Sequence, residues 1–429
     1  MTARPHEDLD AVLAWWQDEA RTGPEFRQLR REVAKIARRR RMRAAVEESA
    51  LNLLSTPEEQ TSDRASGGRA ARQAGFDHVY GTLEEPLRRL LWNFALADAI
   101  SLRYQRPQAV AGTKIAAYVG LAGTGMWLFN RAAELVPGAP VAAAGLTAPA
   151  LAGAVLLLVF TLLSLRYRVR YRQLRHRFLA GRTLAETLRV EFFQRLAGTG
   201  FHTVEVFTAH HETSAQPSWT LRLLEHAIAS AGSNPREAAP ENPRPDPTRL
   251  QWVESYWIEA QHRQFGKPKV DGTVTGATGR EAEAARKAER WLRAAFLATA
   301  GCVVGSVLLL LLPHAADLPW VKAQGWPLPD RASLADGVRI PRHVTELLAG
   351  LLGIAAAGFH QRSSLHAVTA RKFRRAALVL AEARHHLSAP ELTPAYRQST
   401  FRYVAYQSIA ETTDWGVHQR EQPMHVAFR

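Results

Sequence analysis

The chain has a single cysteine, Cys302, among 429 residues. One thiol rules out an intrachain disulfide, and its place inside an apolar run fits a reducing compartment. No cleavable signal peptide is expected, because MTARPHEDLDAVLAWWQDEA carries acids where an apolar core would have to be. Signatures of catalysis are missing too. There is no HExxH, no cysteine ligand set, no GxSxG elbow and no GxGxxG after a strand. The segment GKPKVDGTVTGATG has the glycines and threonines of a phosphate-cradling loop. It lacks the Gly-Lys-Ser/Thr ending and a preceding apolar strand, and so reads as a linker.

The remaining candidates for chemistry have simpler readings. His210-His211, with Glu212 beside them, and His385-His386 suggest a metal, but adjacent histidines on a helix point in different directions. They read as surface or core histidines. Glu186, Glu191, Glu254 and Glu411 sit in amphipathic patterns and read as salt-bridging or solvated helix faces. Trp415 with His418 and Arg420 reads as a packed tail contact, with ligand binding the alternative. No catalytic, cofactor-binding or metal-binding residue is assigned, and no enzyme activity is expected.

Charge is absent from one long stretch. From Pro140, PVAAAGLTAPALAGAVLLLVFTLLSL runs about 25 residues without a charge, and RYRVRYRQLRHRFLAGR follows with seven arginines and no acid. The first part has the length of a membrane-crossing helix, and the arginines at its end mark the cytoplasmic side. Nine of the eleven residues from Val155 to Leu165 are Val, Leu or Phe. At roughly −0.3 to −0.6 kcal/mol each they favour insertion by about 4 kcal/mol, which one arginine at mid-bilayer would nearly cancel at about 3. Arg166, Arg168, Arg170, Arg172, Arg175 and Arg177 are therefore expected at the membrane surface, facing anionic headgroups.

The formal net charge is +15, from 55 Lys and Arg against 40 Asp and Glu. Nucleic acid is one reading of such an excess. It leaves unexplained why the arginines abut uncharged segments, so no nucleic-acid partner is expected. The mean hydropathy is slightly negative, so most of the chain is expected outside lipid.

Taken in order, residues 1–106 read as an N-terminal helical cytosolic region. It holds AVLAWWQDEA, then PEFRQLRREVAKIARRRRMRAAVEESALNLL as one helix, a linker from Ser55 to Gly75, and EEPLRRLLWNFALADAISLRYQ, which Pro107 should end. The run Arg38 to Arg41 with Arg43 reads as a solvated helix face or membrane-surface contact, with phosphate binding the alternative.

Residues 107–165 read as the first transmembrane hairpin. Its opening span, Ala109 to Phe129, is diluted by Lys114 near its beginning and by Gly120, Gly123 and Gly125, which suit close packing of another helix. In the helical region 166–232, Leu184, Leu188, Phe192 and Leu196 mark one apolar face, and FHTVEVFTAHH alternates like a short strand. Residues 233–290 begin with a five-proline linker and continue with the helix TRLQWVESYWIEAQHRQF.

The second hairpin covers 291–361. Its first span runs Trp291 to Pro313, with Gly301 and Gly305 in GxxxG spacing as a possible helix contact. A loop reaches Arg342, and His343 to His360 has only about 13 wholly apolar residues, requiring Glu346 and His360 to lie at interfaces or face protein. Residues 362–429 read as a C-terminal helical cytosolic region. Four crossings place every basic flank inside; three would put the last outside. The expected fold is all-α: an integral membrane protein with two transmembrane helical hairpins, four spans and helical cytosolic regions.

The order of FALADAISLRYQ before the first hairpin, LAETLRVEFFQRLAG after it, WVESYWIEAQ in the middle and AETTDWGVHQREQP at the end has a parallel. Over about residues 85–429 it resembles the SMODS- and SLOG-associating two-transmembrane (SLATT) superfamily, in its longer bacterial relatives. The resemblance implies a membrane effector of a bacterial conflict (antiphage) system. Such a protein would form a pore or perturb the membrane when triggered by a nucleotide-sensing or nucleotide-synthesising partner. This chain departs from the pattern in having two hairpins and no nucleotide-sensing α/β domain in its first 85 residues.

The implied location is the bacterial inner (cytoplasmic) membrane, with both termini cytosolic and the chain a homo-oligomer. Polar residues on apolar helices are the candidate pore or helix-contact positions, with Glu346 and Lys114 first. Snorkelling to the interface is the plainer account of both. The alternative function is a membrane-anchored scaffold or sensor that binds a soluble partner without conducting.

Overall fold

The protein is described by a computed structural model covering residues 5–18, 26–56, 68–135, 148–212, 218–235, 237, 241–242, 245–266, 276–315, 331–389 and 391–421. Helices account for nearly all of these residues. The β pairing among them is an isolated bridge between Thr199 and Glu241. The chain divides into two compact units.

The first unit draws on residues up to 107, 174–280 and 369–425. It opens with α1 (Pro5–Gln17), which buries Leu9, Val12, Leu13 and Trp16, an apolar stripe at helical spacing. The single helix expected next is two, α2 (Arg27–Arg38) and α3 (Arg40–Leu53), separated by an extended Arg39. Like charges three and four apart weaken a helix, and the break falls inside the arginine run. The end of the expected Ser55–Gly75 linker is helical instead, since α4 (Gly68–Thr82) buries Phe76, Val79 and Tyr80; residues 57–67 lie outside the described ones.

Helix α5 (Glu85–Leu135) buries the expected face, Leu87, Leu90, Leu91, Phe94, Ala95 and Ile100. It does not stop at Pro107. A proline inside a helix forfeits one N–H bond and crowds the preceding turn, but Tyr104 and Ala111 are buried on either side of it, and the helix continues. Helix α6 (Ala148–Ala197) buries Leu184, Leu188, Phe192 and Leu196 as expected. It also buries Ala185, Val190, Phe193 and Ala197, so this part is enclosed around most of its circumference.

Two glycines with positive φ, Gly198 and Gly200, then turn the chain, a conformation that a Cβ would strain. The buried Gln398 donates to the Ala197, Gly198 and Asn242 carbonyls, at 3.0, 2.7 and 2.9 Å. The segment expected as a strand is α7 (Thr203–Glu212), where Val204 and Phe207 are buried at a helical spacing of three. Packing of that pair outweighs the weak alternation.

After α8 (Ser218–Ser230) come α9 (Pro247–Trp252), a π-helical stretch (Val253–Glu259) and α10 (Ala260–Phe265). The wider turn of the π stretch was not expected. It buries Val253, Trp257 and Ile258 and leaves Glu259 to accept from Arg263 at 2.6 Å and to pair with Arg384 at 2.9 Å. Buried residues of α12 (Arg331–Leu387) and α13 (Pro394–Glu421), among them Leu380, Phe401, Val404 and Ile409, complete the core.

Several polar groups inside this core bond to one another. Asn93 accepts from Trp16 Nε1 at 2.7 Å and donates to Ser230 Oγ at 2.7 Å, tying α5 to α1 and α8. Tyr80 donates to Asp8 at 2.6 Å and accepts from Trp92 Nε1 at 2.9 Å, while Arg88 donates to the same Asp8 oxygen at 2.8 Å. Burial, and then Asp8, hold the Tyr80 hydroxyl well above the ordinary phenol range. Arg182 pairs with Asp98 at 3.1 Å and with Glu186, which Arg189 also reaches at 3.0 Å.

The second unit comprises residues 108–173 and 281–368, from α5, α6, α11 (Gly276–Ala315) and α12. Its large apolar side chains face outward: Leu158, Leu297 and Leu308 are 61, 70 and 62% exposed. Water-soluble domains rarely leave contiguous apolar surface of this kind uncovered. Helix α12 begins at Arg331 and passes through Pro341, so the expected loop to Arg342 is helical over its last part. Residues 316–330 lie outside the described ones, as do 136–147 of the first expected hairpin turn.

Candidate functional site: a polar cluster among apolar helices

Three helical stretches are long and apolar enough to cross a membrane by length and composition: Leu151–Ala197, Gly276–His314 and Ala332–His360. The expected span Ala109–Phe129 is helical but does not meet that measure, since Lys114, Gly120, Gly123 and Gly125 dilute its apolar character. The span judged shortest from sequence gains length from the helical residues that precede it.

The glycines divide by surroundings. A methyl group on Gly125 would lie 2.5 Å from the Leu157 nitrogen and 2.8 Å from the Gly153 oxygen, so α5 and α6 touch backbone to backbone there. One on Gly123 would meet Ile354 of α12 at 3.5 Å. One on Gly120, Gly301 or Gly305 would meet nothing within 4 Å, so no described helix of this chain covers the GxxxG face.

Where α5, α11 and α12 come together, polar side chains gather. His343 is 3% exposed, and its ring stands edge-on to Trp127, with centroids 6.3 Å apart and planes at 74°. Its Nδ1 is 3.5 Å from Glu346 Oε2, and Arg342 Nε donates to Glu346 Oε1 at 3.0 Å. One helical turn sets these spacings, at three and four residues. Thr345 donates to the Arg342 carbonyl at 2.8 Å, and its Oγ1 lies 2.6 Å from Ser306 Oγ on α11.

Glu346 is thus a carboxylate held between a guanidinium and an imidazole on a helix apolar enough to span. Ionisable groups are costly in such a setting unless paired with one another or facing water. The arrangement holds a paired carboxylate on a helix that is otherwise apolar. Sequence reading singled out Glu346 but not its partners. The signal was present in PRHVTE, where Arg342 and His343 fall four and three residues before it.

The other sequence candidates lie elsewhere. Lys114 is exposed, donates to the Tyr167 hydroxyl at 3.3 Å and sits 5.1 Å from that ring's centroid. Arg166, Arg170 and Arg172 are exposed and Arg168 and Arg175 half-buried. Arg177, in the first unit, donates to Tyr104 Oη at 3.3 Å and to Gln28 Oε1 at 3.1 Å. His210 packs on Tyr406, ring centroids 5.0 Å apart, and His386 Nδ1 lies 2.9 Å from Tyr396 Oη. The side chains of His211, Glu212, Trp415, His418 and Arg420 lie outside the described residues. Among the described residues no three His, Cys, Asp or Glu side chains form a metal-holding group.

No family model, curated protein or solved structure matches this chain.

Proposed function

We propose that the chain is an integral protein of the bacterial inner membrane with two transmembrane hairpins, four spans and both termini cytosolic. In this reading it is an effector of a conflict (antiphage) system, akin to the SLATT superfamily. Copies associate in the bilayer, and the helical unit on the cytosolic side holds the assembly closed. A nucleotide signal or a nucleotide-handling partner shifts the balance toward an open state that perturbs or perforates the membrane.

One observation carries the reading: the cluster of Trp127, Arg342, His343 and Glu346 on helices that otherwise present bare apolar surface. A lipid anchor alone has no use for an arginine, a histidine and a carboxylate there, whereas a polar path has. The outward GxxxG face on α11 supports association between copies. The opening span, from α5, is included because without it the basic N-terminal region would lie on the side opposite to the other basic flanks.

Purified protein in liposomes tests this by dye release and single-channel recording, with and without candidate cyclic nucleotides. Trigger-dependent leakage that changes in Glu346→Ala is expected. Intact vesicles under every trigger would remove the effector reading.

A second reading, a membrane-anchored scaffold or sensor, is favoured by exposed tyrosines on α13. Tyr396, Tyr403 and Tyr406 are 43, 43 and 47% exposed on the helical unit, and tyrosine is enriched where proteins bind each other. Loss of a co-purified partner in Tyr403→Ala, with no leakage in any variant, would select it.

A further inference from the structure

The α5–α6 part of the second unit has a charge imbalance that its own residues do not resolve. Lys114, Arg166, Arg168, Arg170 and Arg172 crowd one end, yet neither helix has an acid within 108–133 or 148–173. In the same unit, Glu281 lies 2.6 Å from His366 Nδ1, and Glu289 accepts from Arg293 at 2.6 Å.

The cations sit on an aromatic ladder. Tyr118 stacks near Phe160 at 6.0 Å and tilts against Tyr167 at 5.4 Å, and Tyr171 packs 3.5 Å from where a Gly112 methyl would be. Tyrosines of this kind mark the headgroup level of a bilayer. Lys114 is fixed at that level by its bond to Tyr167 and its place over the ring, and an ammonium has three donors, so others remain for an anion. Arg170 follows Tyr167 by three residues, on the adjoining part of the same helix face.

We propose that Lys114 and Arg170, framed by Tyr167, bind the phosphodiester headgroup of an anionic phospholipid. The exposed residues Leu158, Leu162, Arg166 and Arg170 recur every four positions and so form a stripe that winds gradually round α6, apolar first and cationic after. That sequence of surfaces matches a phospholipid, with acyl chains along the leucines and the phosphate at the arginines. A free phosphate would leave the apolar half unused. The inference rests on the membrane reading above and adds to it a particular lipid seat.

Native mass spectrometry of the full chain released from nanodiscs of mixed phosphatidylglycerol and phosphatidylcholine tests it. Wild type should retain phosphatidylglycerol in preference to phosphatidylcholine. Lys114→Ala and Arg170→Gln should each weaken that retention about fivefold, the effect of roughly 1 kcal/mol per cation near the surface, and Lys114→Arg should restore it. Arg293→Ala removes a cation already paired with Glu289 and should retain lipid like wild type.

Equal retention by Lys114→Ala, Arg170→Gln and wild type would overturn the proposal. So would displacement of the lipid by inorganic phosphate, which would make the site one for a free anion. Carbonate extraction of cell membranes separates the two levels. Wild type in the lipid pellet with no lipid preference sinks only the seat, whereas wild type in the supernatant sinks the membrane reading and the seat with it.

Discussion

Phe193 and Trp257 stack in parallel and offset, their ring planes 3° apart and their centroids 5.5 Å apart. The pair pins the π-helical stretch to the enclosed part of α6. Trp257→Ala should cost about 3–5 kcal/mol, as expected when a fully buried large aromatic is truncated. Thermal unfolding in detergent measures it, with Trp257→Phe expected to fall much less. Equal melting of Trp257→Ala and wild type would show that the stack does not hold the stretch.

Arg342 and Glu346 should be worth more together than apart. Removing either partner strands a charge among apolar helices, while removing both strands none. Arg342→Ala and Glu346→Ala should each lower the melting temperature, and the double variant should recover part of the loss. The coupling read from that cycle should fall between about 0.5 and 3 kcal/mol. Strict additivity would mean that the two side chains act independently.

Acid should weaken the helical unit through Glu32. Burial opposes its charge, but the Lys35 hydrogen bond and the Arg103 charge outweigh that, and its carboxyl lies below the ordinary value. Arg103 is 2.8 Å and Lys35 2.9 Å away. A carboxylate with a depressed folded-state pKa stabilises above its unfolded value, and the contribution is lost as pH falls through the folded one. Glu32→Gln should therefore melt below wild type at neutral pH, with the gap closing as pH drops below about 4.5. A gap constant with pH would assign the effect to something other than ionisation.

Gly125 and Gly301 should respond oppositely to the same substitution. Gly125→Ala drives a methyl into the α6 backbone and should lower stability. Gly301→Ala meets open space and, with the better helix propensity of alanine, should leave the single chain as stable or more so. If copies meet on that face, cross-linking in membranes should fall in Gly301→Ala alone. Unchanged cross-linking would place the contact between copies elsewhere.

Periodicity disclosed most of the helical content. The leucine spacing from Leu184 to Leu196 and the face from Leu87 to Ile100 are both buried, because a 3.6-residue repeat of large side chains has few other uses. Local breakers were poorer guides. Pro107 and Pro341 sit inside helices, Arg39 interrupts one without Gly or Pro, and Val204 with Phe207 helps a short alternating segment fold as helix. At Pro107 and at Val204 with Phe207 burial of neighbours, invisible in a local window, decided the outcome, whereas at Arg39 the break falls within a run of like charges. For the polar cluster, Glu346 stood out as an acid in an apolar run. Trp127 did not, because nothing in one dimension sets it beside a histidine 216 positions later.

Asn93 carries a consequence for the order of synthesis. It joins a tryptophan 77 positions earlier to a serine 137 positions later, so the half of the clasp that reaches α8 has to wait for that serine to be made. At about 5–20 residues per second that delay is roughly 7–27 seconds. In the interval the apolar stretch ending at Leu165 has already left the ribosome. The bond from Asn93 to Ser230 therefore closes only after that apolar stretch has left the ribosome, so the order of synthesis sets the order in which the two ends of this clasp can form.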